Sequence, residues 1–177
     1  MNNEDAQAIF FVIVLIVVLA ITLVPFALFI GYVLFQKQKR DRIRTTILRD
    51  RGQLIGNHKW LPVRYASEPR FKALFKIFPW EAAGILVIAP GSALFLGQML
   101  SGSPVMLQFA PANSTLNWLG KAPWPNGAVS WFYFTTANKK HYFSSETGVL
   151  VFGSHKSTKA LYDEANNTLL ADSASRD

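Results

Sequence analysis

The stretch Ala8–Phe35, AIFFVIVLIVVLAITLVPFALFIGYVLF, decides the architecture of this 177-residue chain. No charged side chain lies between Asp5 and Lys37. A helix of about 20 apolar residues already crosses the hydrocarbon core of a bilayer. This run is longer, so it predicts a tilted transmembrane helix or one that extends into an interface. A buried helix of a soluble protein would need a surrounding core that so short a chain does not supply. A cleaved signal peptide would need a basic flank before the run and a small-residue cleavage site after it. Here Glu4 and Asp5 precede the run, and bulky Tyr32, Val33, Leu34 and Phe35 close it. Pro25 removes one backbone donor inside the span, which membrane helices tolerate. Ala27 and Gly31, four residues apart, form a small-residue pair that would allow close approach of a second helix, a weak signal for a homodimer through that face.

The flanks orient the span. Gln36-Lys37-Gln38-Lys39-Arg40-Asp41-Arg42-Ile43-Arg44 follows at once, then Arg49 and Arg51. The positive-inside rule keeps that side in the cytoplasm, so the N-terminal tail is expected outside the cell membrane and the C-terminal bulk inside. The net charge of +7 is uneven: Lys37–Lys76 holds twelve Lys/Arg against three carboxylates, and the remainder beyond Lys76 is neutral. A basic stretch beside a membrane points to anionic lipid headgroups rather than nucleic acid. The chain has no cysteine, which excludes disulfides, thiolate nucleophiles and cysteine-ligated metals.

Between the span and Trp80 the sequence predicts three pieces. The anchor helix continues to about Arg51, where Gly52 can end it. QLIGNHKWLPVRYASEPR carries the Gly, Asn and Pro punctuation of a loop. Ser67 then caps a second helix with Pro69 in its first turn. Phe71, Leu74, Phe75 and Phe78 fall on one face of that helix, with Arg70, Lys72 and Lys76 mostly away from it. Such a helix either packs on the following domain or lies on the cytoplasmic leaflet. The expected surface for the membrane or an unidentified protein partner is therefore Lys37, Lys39, Arg40, Arg42, Arg44, Arg49, Arg51, Arg70, Phe71, Lys72, Phe75, Phe78 and Trp80.

From Glu81 to Asn167 the pattern changes to short β-like runs. Ile85–Ala89 and Ala93–Gln98 flank Pro90-Gly91-Ser92 as a hairpin. Pro104–Phe109, Thr115–Leu119, Val129–Thr135 and Lys140–Ser144 read as further strands, and Gly148–Gly153 as a seventh. Ser157–Asn166 is then helical, with Ser157 as its cap, and TLLADSASRD reads as a disordered tail. The fold class is α+β: an N-terminal transmembrane helix, then a small bent antiparallel sheet or partly open barrel closed by a C-terminal helix. The expected divisions are a tail over 1–7, the span over 8–35, a basic connecting segment over 36–80, the β-rich domain over 81–167 and the tail over 168–177. WFYF at 131–134 presents aromatics on both faces of its strand, so one face needs a cover: the closing helix, the Phe71–Phe78 helix, another subunit or lipid.

GILVIAPGSALFLGQ at Gly84–Gln98 resembles the first hairpin of small pleckstrin-homology-like and GRAM-like domains. VSWFYFTTANKKHYFSSETG and STKALYDEAN are similar to their final strands and closing helix. The resemblance covers about half the chain and implies a binding module rather than an enzyme. Lipid-binding members hold phosphates with Lys and Arg around the first hairpin loop. On this alignment that loop is Ala89-Pro90-Gly91-Ser92, without a basic residue, so no phosphate-site residue carries over. Lys139, Lys140 and His141 form the one local basic cluster within the domain and read as a solvated hairpin tip.

The sequence offers little chemistry. His58, His141 and His155 stand in no metal-ligand spacing, so no metal or cofactor is expected. Gly-x-Ser-x-Gly is absent, and Gly153-Ser154-His155-Lys156-Ser157-Thr158 lacks the Gly-Lys-Ser/Thr triplet of a phosphate loop. Glu146, Asp163 and Glu164 supply carboxylates, but Asp163 and Glu164 are adjacent on a helix and face different directions. Asn113-Ser114-Thr115 and Asn166-Asn167-Thr168 match the glycosylation pattern, which a cytoplasmic domain would not use. The expected protein is a single-pass anchor presenting a cytoplasmic binding or scaffolding module, with an accessory subunit of a larger membrane complex as the alternative.

Overall fold

The computed structural model describes residues 3–74, 79–122, 126, 129–146 and 155–173. The chain divides into two compact units between Gln38 and Lys39. Its elements are α1 (Asn3–Ile55), β1 (Lys59–Ser67), α2 (Glu68–Lys72), β2 (Ala82–Ala89), β3 (Ser92–Met99), β4 (Pro104–Phe109), β5 (Ser114–Lys121), β6 (Ser130–Thr136), β7 (Lys139–Ser145) and α3 (His155–Ser173).

The first unit is the apolar part of α1. It is long and apolar enough to cross a membrane, and its most apolar window is wholly unburied. Within that run Thr22 is satisfied locally, its Oγ1 donating to Val18 O at 2.9 Å. Pro25 stays inside the helix.

The second unit starts within α1. Its backbone leaves helical geometry at Arg51 (φ −121°, ψ 16°) and then resumes to Ile55. The break thus falls beside Gly52, where the sequence predicts an end. The true stop is Gly56 at φ +52°, whose N–H bonds Gly52 O at 2.9 Å.

Seven strands form one antiparallel, curled sheet in the order β4-β3-β2-β1-β7-β6-β5. Alternating side chains supply two packed faces. On one face Val63, Tyr65, Leu86, Phe95, Phe132, Phe134 and Phe143 form the main core, closed by Leu161, Ala165 and Leu169 of α3. On the other face Ile85, Val87 and Leu96 are covered by Ile47, Leu48 and Ile55 of α1. Further along that side, Ala66, Trp80, Val129, Trp131 and Tyr142 pack together with Phe71.

Three sequence expectations are corrected. The stretch Lys59–Ser67, read as loop, is the central strand, pairing Lys59–Tyr65 with β2 and Val63–Ser67 with β7. The Gly, Asn and Pro punctuation made it look irregular; pairing with β2 on one side and β7 on the other, and the burial of Val63, Tyr65 and Ala66, hold it as a strand. The seven strands therefore include β1, whereas the expected strand at 148–153 lies outside the described residues. The tail read as disordered from residue 168 is helical to Ser173, because Leu161, Ala165 and Leu169 continue one apolar stripe at a spacing of four. Ser157, read as the helix cap, lies inside the first turn, since α3 begins at His155.

Polar links fasten α3 to the sheet. Ser145 N–H donates to Thr158 Oγ1 at 3.1 Å, Ser145 Oγ to Ser157 Oγ at 2.7 Å, and Ser130 Oγ meets His155 Nδ1 at 2.7 Å. Lys59 also pairs with Glu164 at 2.7 Å.

Candidate functional site

Two constellations stand out in the second unit, one buried and one open. The buried one centres on Glu146, just past β7. Arg40 Nε donates to Glu146 Oε1 at 2.5 Å, Arg44 Nη2 donates to Oε2, and Arg64 Nη2 lies 3.5 Å from Oε1. Trp80 covers the group, with the Arg64 guanidinium 4.4 Å and the Arg40 guanidinium 5.9 Å from its ring centre. Arg64 and Glu146 are nearly solvent-free, and Arg64 Nε has no hydrogen-bond partner among the described residues. Burial alone would raise the Glu146 carboxyl; the Arg64, Arg44 and Arg40 guanidiniums overcome it and hold it below the usual carboxylate range. Burial likewise lowers Arg64, against the pull of Glu146. Arg44 also binds Asp41 at 3.0 Å and donates to Gly84 O at 3.4 Å. This cluster joins the basic end of α1, strand β1 and the end of β7. It ties the part of α1 from Arg40 on to the sheet, and Arg40, Arg64 and Glu146 are buried within it.

The open constellation is a pocket of about 550 Å³ lined by Tyr65 and Ser67 of β1, Glu68, Pro69 and Lys72 of α2, and Lys139, Lys140 and His141 of β7. The β6–β7 turn sets its rim. Ala137 and Asn138 both have positive φ, 46° and 66°, as a tight hairpin turn demands. For Ala137 that conformation is strained, and it delivers Lys139 and Lys140 to the pocket mouth. On the pocket wall Tyr65 and His141 rings stack, and Tyr65 OH meets His141 Nδ1 at 3.0 Å. Burial, then Lys139, lowers His141 below its ordinary value. Burial and Glu81 push Tyr65 up to about 12. Glu68 bonds Lys72 at 2.6 Å and accepts from Lys140 N–H at 3.4 Å. Among the described residues no carboxylate pairs with Lys139 or Lys140, although Lys140 Nζ sits 5.1 Å from the Tyr133 ring centre.

The expected contact surface is only partly a surface. Arg40 and Trp80 are corrected to interior residues and Arg44 to a half-buried one, because Glu146 draws both arginines in and the Trp80 ring covers Arg40. Phe71 stacks on Tyr142 at 3.9 Å and meets Trp131 edge-on at 5.4 Å, so it covers the outer face of the WFYF strand. Lys39, Arg42, Arg49, Arg51 and Lys72 are exposed, Lys37 and Arg70 half-buried, and Phe75 and Phe78 lie outside the described residues. The helix expected from Ser67 to Phe78 is described as helix only over Glu68–Lys72, and Leu74 beyond it is exposed.

Sequence reading missed Arg64 and Tyr65 because both sit in the strand taken for a loop. Their signal was the apolar alternation Leu61, Val63, Tyr65 within KWLPVRYA. Restoring β1 also moves the first hairpin connection from Ala89–Ser92 to Glu68–Glu81, which carries Arg70, Lys72 and Lys76. The chain matches no family model, no curated protein and no solved structure.

Proposed function

We propose that this chain is a single-pass membrane-anchored binding module whose pleckstrin-homology-like domain faces the cytoplasm and engages the anionic membrane surface or a protein docked there. The observation that carries the reading is that one helix, α1, holds both an unburied apolar run of spanning length and the arginines that the β-domain buries on Glu146. The sheet order and the closing helix α3 support the pleckstrin-homology-like reading of the domain. The basic Glu68–Glu81 connection removes the departure from lipid-binding members that the misplaced hairpin created. Exposed Lys39, Arg42, Arg49 and Arg51 are the headgroup contacts, each worth about 1 kcal/mol near an anionic surface. The domain acts by binding rather than by catalysis.

Orientation is tested by single-cysteine labelling, which the cysteine-free chain allows without background. Cysteines at Asn2 and at Lys121 are expected to react from outside and inside the cell respectively; the reverse pattern overturns the topology. Arg42, Arg49 and Arg51 changed together to Gln are expected to leave domain stability within about 1 kcal/mol, as exposed charges do. The same variant should lower binding to anionic vesicles when its soluble fraction is measured by flotation. Undiminished binding removes these residues from the contact surface.

A further inference from the structure

Strand β4 reads PVMLQF over Pro104–Phe109 and lies at one end of the sheet, where β3 is its partner. Met99 N–H bonds Ser103 O at 2.8 Å as that pairing begins. Hydrogen-bonding direction alternates along an antiparallel ladder, so Val105, Leu107 and Phe109 turn their N–H and C=O groups to β3. Pro104, Met106 and Gln108 turn theirs outward, and all three residues are exposed. Among the described residues no strand pairs with these outward groups.

Native sheets blunt such an edge with charge, a bulge or a covering element. The opposite edge strand, β5, has all three. Its register shifts between Trp118 and Gly120, Lys121 ends it, and Tyr162 of α3 packs on Trp118 at 5.4 Å. β4 has an unbroken register and no charged residue; its guard is Pro104 at the first position. Beside this edge lies a cleft of about 250 Å³, lined by Ile47 and Arg51 of α1, Leu96 and Gly97 of β3, and Pro104 and Met106 of β4. Arg51 is exposed and pairs with no carboxylate among the described residues.

We propose that the outer edge of β4 takes up one extended segment of a partner protein as an added strand, with an apolar side chain in the cleft and a carboxylate against Arg51. An extended backbone presents N–H and C=O groups at the spacing of Met106 and Gln108, so the edge selects chain conformation. The cleft and Arg51 supply the sequence preference. Side chains two apart on a strand share a face, so the segment carries an apolar residue two positions from Asp or Glu. A second copy of this chain fits less well. Its own β4 brings no carboxylate to Arg51, nor do the flanking residues Ser101–Ser103 and Ala110–Asn113. The inference names the partner class of the binding-module reading and rests on that reading for the claim that the domain is a binder.

The test pans a displayed library of random octapeptides against the full chain in zwitterionic nanodiscs, with empty nanodiscs as the subtraction. The recovered sequences are expected to share an apolar residue two positions from Asp or Glu. A synthetic peptide of the leading sequence is then added while amide hydrogen exchange is followed by NMR. Exchange at Met106 and Gln108 should slow about tenfold or more at saturation, with the β5 amides unchanged. R51Q should weaken binding by up to about fivefold, the range of an exposed ion pair. R51E, panned in the same way, should turn the preference from Asp/Glu to Lys/Arg. M106P removes an outward N–H without touching the ladder to β3, so it should abolish binding, whereas Q108A keeps the backbone and should bind like the native chain. Should M106P fail to fold, the exchange pattern and R51E still decide. No enrichment over empty nanodiscs overturns the proposal, as does a peptide that leaves Met106 and Gln108 exchange unchanged, or an acidic preference that survives R51E. Protection of these amides without peptide, rising with protein concentration, assigns the edge to a second copy and also overturns it. Flotation with anionic vesicles, run on the same samples, reports the membrane-surface contact separately, so failure at β4 and failure of the membrane reading are distinguishable.

Discussion

Replacing Glu146 with Gln removes the one carboxylate that touches three guanidiniums. In the native domain Arg40 donates to it at 2.5 Å, Arg44 donates to its second oxygen, and Arg64 stands 3.5 Å away. Hydrogen bonds to charged groups contribute about 1.5–3 kcal/mol each, so the two direct ones amount to about 3–6 kcal/mol. Breaking a buried ion pair by removing one partner costs about 3–5 kcal/mol, because the remaining charge is left uncompensated. The two routes agree on about 4 kcal/mol for this variant. In a domain of this size that corresponds to a fall in Tm of about 10–20 °C. The assay is thermal unfolding of the full chain in detergent, followed by near-ultraviolet circular dichroism, since Trp80 lies against Arg64. A second variant isolates the mechanism. R64M in the E146Q background should cost less than it does in the native protein, because the arginine is then a liability rather than a partner. A fall in Tm below about 4 °C for E146Q, or additive losses in the double variant, would refute the view that the carboxylate holds the cluster.

The acid limb of stability follows from the same residue. The folded-state value of Glu146 is lowered, so its contribution is complete above the unfolded carboxylate value of about 4.3 and is lost as pH falls through the lower folded value. Acid unfolding followed by circular dichroism should show a steep limb in that window, and the limb should be shallower in E146Q. Gly84 pairs with Gly97 where β2 meets β3, and a Cβ there would run into Leu96 O and Gly97 Cα. G84A is expected to cost about 3 kcal/mol by overpacking, read from urea unfolding; an unchanged midpoint would show that the strands can part without loss. Leu169 is buried against the sheet by α3, so L169A should cost about 2–3 kcal/mol in the same assay, whereas a disordered tail would register no change.

The two ends of the domain were unequally legible. The hairpin β2–β3 and strands β4 to β7 were visible because alternating apolar residues and turn signals mark them locally. The Lys139–Lys140–His141 cluster was also visible, yet its reading as a hairpin tip omitted its other half. Tyr65, Ser67 and Lys72 reach the same pocket from more than sixty residues upstream, and no local pattern links them. Arg40 and Arg44 were counted with the exposed basic segment because a charged side chain beside a span is ordinarily solvated. Nothing in the sequence around position 40 announces a carboxylate at 146.

The sequence alone determined an apolar helix long enough to cross a membrane, the basic flank that follows it, the β-rich domain and its terminal helix, since each is written in composition or in a local period. Tertiary structure decided which charges are surface and which are core, that Lys59–Ser67 is the central strand, and that α3 extends to Ser173. The physical reason is that a buried charge is tolerated only when a partner satisfies it, and a strand is held by the neighbours it pairs with, both of which lie far away in sequence. Glu146 does so for the arginines, and the β2 and β7 backbones flank the strand that holds Pro62. The apolar run that opened the reading belongs to the same helix as Ile47, Leu48 and Ile55, which pack in the core of the domain.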